Sequence, residues 1–184
     1  MVNRTGTYVA FDGLGEINPT KSDFKYYATL KAWNENQNIE FNIIDSHEKT
    51  YAVLDSSKKE TLYKRIQDRL RLSKNMLIVL TNQTRKRGSV LSYEIEQAID
   101  EYKLPLIIAY PGYPTVLDVN SLSHMWPDAL SKRIDNTGVA AIHIPFVKEC
   151  IFDAIKRFSV NGESLSSGRV RYTQESYLNW GLIR

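Results

Sequence analysis

NMLIVLTNQTRKRGSVLSYEIEQAIDEY, residues 75–102, is the stretch that decides the fold of this chain. Its apolar run Met76–Leu80 predicts a buried strand. After Val90 the apolar residues recur with the period of a helix, at Leu91, Ile95, Ala98, Ile99 and Tyr102. A buried strand followed by an amphipathic helix is the repeating unit of a parallel α/β sheet.

Glu94 has a special position in this helix. At 100° per residue it lies about 60° from Leu91, on the margin of the apolar face, whereas Glu96 lies about 140° away and points to solvent. The helix follows a strand end, which is where α/β sheets form their binding crevice. The alternative interpretation is a solvated carboxylate near a helix start, where acidic residues are common.

The composition indicates a globular protein. Its 184 residues are 42% hydrophobic and 24% charged, enough for one domain with a substantial core. No apolar run reaches the length of a membrane span, and the N-terminus lacks the apolar core of a signal peptide. The single cysteine, Cys150, falls on the apolar side of a helical pattern, as a buried thiol in a reducing compartment does. We therefore expect a cytoplasmic protein without a membrane partner.

The charge distribution bears on the partners. The net charge is +3, and basic residues cluster at 58–74 and at Arg85–Arg87, which favours an anionic partner. The alternative is a solvated helix face and a polar loop. No zinc-ligand spacing, recognition helix or aromatic-basic strand pattern is present, which argues against nucleic acid. The three histidines are too scattered to propose a metal site.

Four more apolar runs predict strands, and helical patterns separate them. The strand candidates are Tyr8–Phe11, Phe41–Ile44, Leu104–Tyr110 and Val139–Ile144. The helical segments are Phe24–Asn34, a helix that begins at the capping box Ser57–Glu60, and Val147–Phe158. Residues 115–138 fit either one irregular helix around Trp126 or a loop insertion.

This alternation predicts a flavodoxin-like, three-layer α/β fold with a central five-stranded parallel sheet in the order 2-1-3-4-5. We expect one domain over residues 1–160. The C-terminal extension, residues 161–184, has a loop composition followed by an aromatic stretch, and it docks on this domain or on a partner. The crevice would lie where the strand order reverses, at the ends of strands one and three.

The sequence resembles the bacterial TIR-like domains, particularly those of the Thoeris anti-phage defence type. The resemblance rests on Ile66–Ser73, Leu77–Leu80, Thr84 and Ser89–Ile95, and on the first two strands. It extends over roughly residues 5–112. Two departures concern the pocket, because many members have Ser in the first strand and Trp where Val90 stands.

The resemblance implies an enzyme that cleaves the nicotinamide–ribose bond of NAD and makes a signalling nucleotide, cyclic in many members. NAD is then a substrate, and no cofactor is expected. Glu94 would be the catalytic carboxylate, and Phe11 would stack on the substrate, unless Phe11 is simply a core aromatic. The candidate polar lining is Asp12, Asp45, Ser46, Asn82 and Tyr93, and Arg85 or Arg87 would meet the pyrophosphate.

The resemblance also implies self-association and a separate effector protein that responds to the product. Two alternatives stay open. One is a TIR-like interaction module without chemistry, which the two departures favour. The other is a nucleoside deoxyribosyltransferase-like enzyme, which also uses a glutamate on an α/β scaffold.

Overall fold

The computed structural model describes residues 4–14, 22–35, 43–45, 56–136 and 138–184. For residues 43–45 and 56–58 only the backbone is described. The side chain of Ser57 in the capping box and the whole loop of residues 46–55 therefore lie outside what the structure describes.

One parallel sheet organises the described residues, with the strand order β2-β1-β3-β4-β5-β6. The strands are β1 (Gly6–Phe11), β2 (Ile43–Asp45), β3 (Ser73–Val79), β4 (Leu106–Tyr110), β5 (Ala141–Pro145) and β6 (Val170–Arg171). The predicted flavodoxin-like order of the first five strands is confirmed. The predicted five-stranded parallel sheet is likewise confirmed, and the two-residue strand β6 extends it, because Val170 and Arg171 pair with Ile142 and His143.

Helices cover both faces of the sheet, as parallel crossovers require. They are α1 (Phe24–Glu35), α2 (Ser56–Leu72), α3 (Val90–Glu96), α4 (Asp128–Ser131), α5 (Lys148–Arg157) and α6 (Gln174–Asn179). A π-helical turn, Gln97–Glu101, continues α3, and the amide of Tyr102 donates to the carbonyl of Gln97. None of the helices in the described ranges combines the length and apolar character that a bilayer crossing needs.

Side-chain alternation in β1 divides the core in two. Tyr8 and Ala10 belong to a cluster with α2, α3 and the segment after β4. Val9 and Phe11 belong to a second cluster with α1, α5 and the C-terminal segment. Cys150 is buried in this second cluster, as predicted, and burial raises the pKa of its thiol to about 12.

Residues 115–138 form two short helices rather than one. A 3-10 helix, Asn120–Met125, ends at Trp126, and α4 begins directly after Pro127. The proline breaks the helix because it has no amide hydrogen to donate and restricts the residue before it. The interpretation as a single irregular helix was therefore wrong.

A buried hydrogen-bonded chain links this segment to the sheet. Trp126 Nε1 donates to Tyr110 Oη (2.8 Å), Tyr110 Oη donates to His143 Nδ1 (2.7 Å), and His143 Nε2 donates to the carbonyl of Gly168 (2.8 Å). The carbonyl can only accept, so the imidazole hydrogen is on Nε2. His143 is a core histidine with both ring nitrogens hydrogen-bonded, and burial lowers its pKa to about 4.

Candidate functional site

Glu94 is held by the helix that the sequence predicted. Leu91 and Ile95, one turn before it and one residue after it, are 1% and 0% exposed and fix α3 on the sheet. Glu94 itself is 3% exposed, on the buried side of α3. Withdrawing a carboxylate from water is costly unless a hydrogen bond replaces its hydration, so the position requires a donor.

Tyr8 supplies that donor. Its hydroxyl donates to Oε1 of Glu94 at 2.5 Å, and Tyr8 is 0% exposed. The two residues are 86 positions apart and meet because β1 lies beside β3, the strand that leads into α3. Sequence reasoning did not select Tyr8. The available signal was a phenol in an apolar strand, since a buried tyrosine hydroxyl usually finds a hydrogen-bond partner.

Tyr93, the neighbour of Glu94 and a predicted lining residue, is engaged with α2. Its ring stacks on Tyr63 with 3.9 Å between the centroids and 15° between the planes. Gln67 Nε2 donates to Tyr93 Oη at 2.9 Å. Burial raises the pKa of Tyr93. These contacts give α2 and α3 a common aromatic and polar seam next to the buried carboxylate.

Asp12, at the end of β1, ties together the loops that follow β1 and β3. Its buried carboxylate accepts from the Arg85 amide at 2.8 Å, from Arg85 Nη2 at 2.7 Å and from the Leu14 amide at 2.9 Å. Hydrogen bonding to Asp12 raises the pKa of Arg85. The predicted convergence of the two strand ends is therefore present, with Asp12 and Arg85 as its ion pair.

Asp23 is a second buried acid near this strand end, and the sequence analysis missed it. It is 2% exposed, and Thr81 Oγ1 donates to its oxygens at 3.2 and 3.4 Å. Burial, together with the nearby charge of Asp12, raises the pKa of Asp23 to about 6. The only local signal is the pair Ser22–Asp23 directly before α1, which is also typical of an ordinary helix start.

The other predicted lining residues lie apart from Glu94. Phe11 is 4% exposed, on the opposite face of the sheet from Tyr8, and packs against Phe24 and Tyr27 with centroid distances of 6.2 and 5.9 Å. Asn82 is exposed, and its Oδ1 lies 3.0 Å from Nε2 of His124.

Arg87, the predicted pyrophosphate contact, is 83% exposed and forms an ion pair with Asp128 of α4. Asp45 lies in β2, where only the backbone is described, and Ser46 lies outside the described residues. The structure thus brings Glu94 to Tyr8 and Asp12 to Arg85. It directs Arg87 and Asn82 toward the segment after β4. The roles proposed for all these residues in substrate binding stay predictions.

Comparison with models of protein families identifies the family to which this chain belongs. The model described as Thoeris protein ThsB, TIR-like domain, matches residues 8–115, more than half of the chain. The chain belongs to this family. The ThsB TIR-like match contains most of β1, all of β2 to β4, and Tyr8, Asp12, Arg85 and Glu94, so the resemblance seen in the sequence is confirmed. Strands β5 and β6 and helix α6 lie beyond the matched part of the ThsB-type domain.

Proposed function

We propose that the protein is an NAD-consuming enzyme that cleaves the nicotinamide–ribose bond and releases an ADP-ribose signalling nucleotide, in a cyclic form, during anti-phage defence. The observation that carries the proposal is the buried Glu94 carboxylate, hydrogen-bonded to Tyr8, on the first helix after β3 of a ThsB-type TIR-like domain. Family membership supports the assignment to a Thoeris system, and the carboxylate supports the chemistry.

The reaction requires stabilisation of positive charge on the ribose. As the bond between nicotinamide nitrogen and ribose C1′ breaks, nicotinamide leaves as a neutral base and the ribose becomes an oxocarbenium-like cation. An ionised Glu94 stabilises this cation electrostatically and hydrogen-bonds the ribose hydroxyls. Attack on C1′ by water gives ADP-ribose, and attack by a nucleophilic atom of the same nucleotide, which then loses its proton or positive charge to solvent, closes the ring. A general acid is unnecessary because the leaving group is neutral.

A TIR-like assembly module without chemistry is the second candidate function. One observation favours it: Glu94 is 3% exposed, as a purely structural carboxylate would be. In that case self-association would be the activity, and the Tyr8–Glu94 hydrogen bond would serve stability alone.

Nicotinamide release from NAD by the purified protein tests the proposal, with Glu94→Gln beside the wild type. We expect release by the wild type and a loss of about 10²-fold or more in the variant, the usual effect of removing an electrostatic stabiliser. Glu96→Gln is the matched control, because Glu96 is two residues along the same helix and its side chain is 44% exposed. This control should retain activity.

The products separate the alternatives. A product mass equal to ADP-ribose indicates hydrolysis, and a mass lower by one water indicates cyclisation. Base exchange between deoxynucleosides without NAD turnover would indicate a deoxyribosyltransferase-like enzyme instead. No release by the wild type, in purified form and in lysate of phage-infected cells that express it, would contradict the enzyme and favour the assembly module.

A further inference from the structure

Tyr8 is a completely buried side chain at the centre of the sheet. Its strand, β1, has neighbours on both sides, with Tyr8 in register with Ile44 of β2 and with Met76 of β3. The side chain is 0% exposed within the core cluster that α2 and α3 cover. Its hydroxyl therefore has a position that the centre of the sheet determines.

Glu94 reaches this hydroxyl from a helix that is itself fixed. Leu91 and Ile95 bury the same side of α3, so the Cα of Glu94 has little freedom. The separation of 2.5 Å between Tyr8 Oη and Oε1 is at the short end of O–H···O⁻ distances, which are characteristic of charge-assisted hydrogen bonds. The geometry matches a phenol that donates to an ionised carboxylate.

We propose that Tyr8 is a positioning residue for Glu94: its hydroxyl keeps the carboxylate ionised and fixes the orientation of Oε1 relative to the sheet. The inference rests on the proposed function for its catalytic consequence. Tyr8 acts through Glu94 and needs no contact with the substrate. An acceptor of a strong hydrogen bond is favoured in its charged form, which offsets the burial that opposes ionisation.

Tyrosines line the edge of this cluster among the described residues, and charged side chains lie against them: Lys59 Nζ is 5.5 Å from the ring centroid of Tyr63, and Arg4 Nη1 donates to the carbonyl of Tyr102. Tyr63 of α2, Tyr93 of α3 and Tyr102 after the π-helical turn lie at its edge. Because charged groups lie at this edge, a change in the acid limb of the activity profile is assigned to Glu94 only when the titration of the Glu94 carboxyl moves with it.

Tyr8→Phe removes only the hydroxyl. We expect kcat to fall about tenfold with KM nearly unchanged, and the acid limb of the pH profile of kcat to move up by about one pH unit, the effect of losing a charge-assisted hydrogen bond. The control is Tyr177→Phe, which removes another buried hydroxyl, one that bonds only the backbone of Val116 in the second cluster. It should leave the acid limb in place.

A second measurement is independent of NAD turnover. With ¹³C-labelled glutamate carboxyls, the resonance of Glu94 is the one absent from Glu94→Gln, and its titration midpoint should move up in Tyr8→Phe. If the wild type releases no nicotinamide, the proposed function fails while this titration still tests the inference.

An unchanged or lowered midpoint in Tyr8→Phe would overturn the proposal, since the hydroxyl would then not favour the ionised carboxylate. Should Tyr8→Phe fail to fold, Tyr8→3-fluorotyrosine keeps the ring and the hydroxyl. Its more acidic phenol is a stronger donor, so the midpoint should move down. A midpoint that stays fixed with this variant would also contradict the positioning role.

Discussion

Asp12 shows how a single residue fixes the geometry of the strand ends. Its carboxylate is completely buried and accepts hydrogen bonds from both connecting loops, including two groups of Arg85. Arg87, only two residues away, pairs with Asp128 and is almost fully in solvent. The same loop therefore contains one structural arginine and one peripheral arginine.

We expect Arg85→Ala to lower the free energy of unfolding by about 1–2 kcal/mol, because Asp12 stays buried without its cation. The effect is at the low end for a buried ion pair because the Arg85 side chain is 42% exposed. Arg87→Ala, the control in the same loop, should change stability by less than about 0.5 kcal/mol. Urea denaturation measures both, and equal effects would refute the distinction.

For single residues, the sequence predicted where a side chain lies better than which group it hydrogen-bonds. Periodicity placed Glu94 on the buried margin of α3, and the strand end placed Asp12 where the loops after β1 and β3 meet. The hydrogen bond from Tyr8 joins residues 86 positions apart, so it depends on strand order and rotamers that no local pattern contains. Asp23 gave no signal because acids before helices are common for capping reasons alone.

Among the secondary-structure elements, the C-terminal segment shows best how the sheet is extended. Strand β6 has only two residues, which pair with β5 where the carbonyl of Gly168 accepts from His143. At Gly168 the chain passes directly against the backbone of Ile134, with no room for a Cβ atom. Glycine is thus required where the segment enters the sheet.

Gly168→Ala should therefore destabilise the protein by about 3 kcal/mol or more, because the new methyl group would overlap the carbonyl oxygen of Ile134 and force the backbone apart. Gly181→Ala is the comparison. Gly181 has a φ of +69° with open space around it, so only backbone strain of about 1 kcal/mol is expected there. Thermal unfolding of the two variants checks this, and a similar loss in both would show that Ile134 moves freely.

Long, periodic elements were predictable, and short ones were not. Strands β1, β3, β4 and β5 are recognisable in the sequence as apolar runs because both of their faces are covered. Strand β6 is too short for a pattern, and the aromatic residues behind it, Tyr172 and Tyr177, pack into the second cluster. The helices between β4 and β5 could not be predicted because a 3-10 turn and a proline interrupt their periodicity.

Across the whole molecule, two buried titratable groups give opposite pH dependences of stability. The pKa of His143 is about 4 when folded against 6.5 when unfolded, so its contribution is full above pH 6.5 and is lost as the pH falls. The pKa of Asp23 is about 6 when folded against 3.8 when unfolded, so its contribution is full below pH 3.8 and is lost as the pH rises through 6. The two effects oppose each other between pH 4 and 6.

Substitution of Asp23 or of His143 should separate the two pH dependences of stability when urea unfolding is measured from pH 4 to 7. Asp23→Asn should lose stability on acidification more steeply than the wild type, by about 1–3 kcal/mol over this range. His143→Gln keeps an acceptor and a donor in the buried chain and should lose stability less steeply. Parallel curves for all three proteins would contradict the assignment of both groups.

The buried position of Trp126 makes its fluorescence a probe of the C-terminal segment. Trp33 and Trp180 are half-buried, whereas Trp126 is 2% exposed, with its ring centroid 5.4 Å from that of His143 and the Arg169 guanidinium 5.2 Å from its centroid. We therefore expect its indole to emit at shorter wavelength than the other two. Its neighbours are His143 of β5 and Arg169, directly before β6. Displacement of the C-terminal segment from the sheet should therefore shift the emission maximum of Trp126.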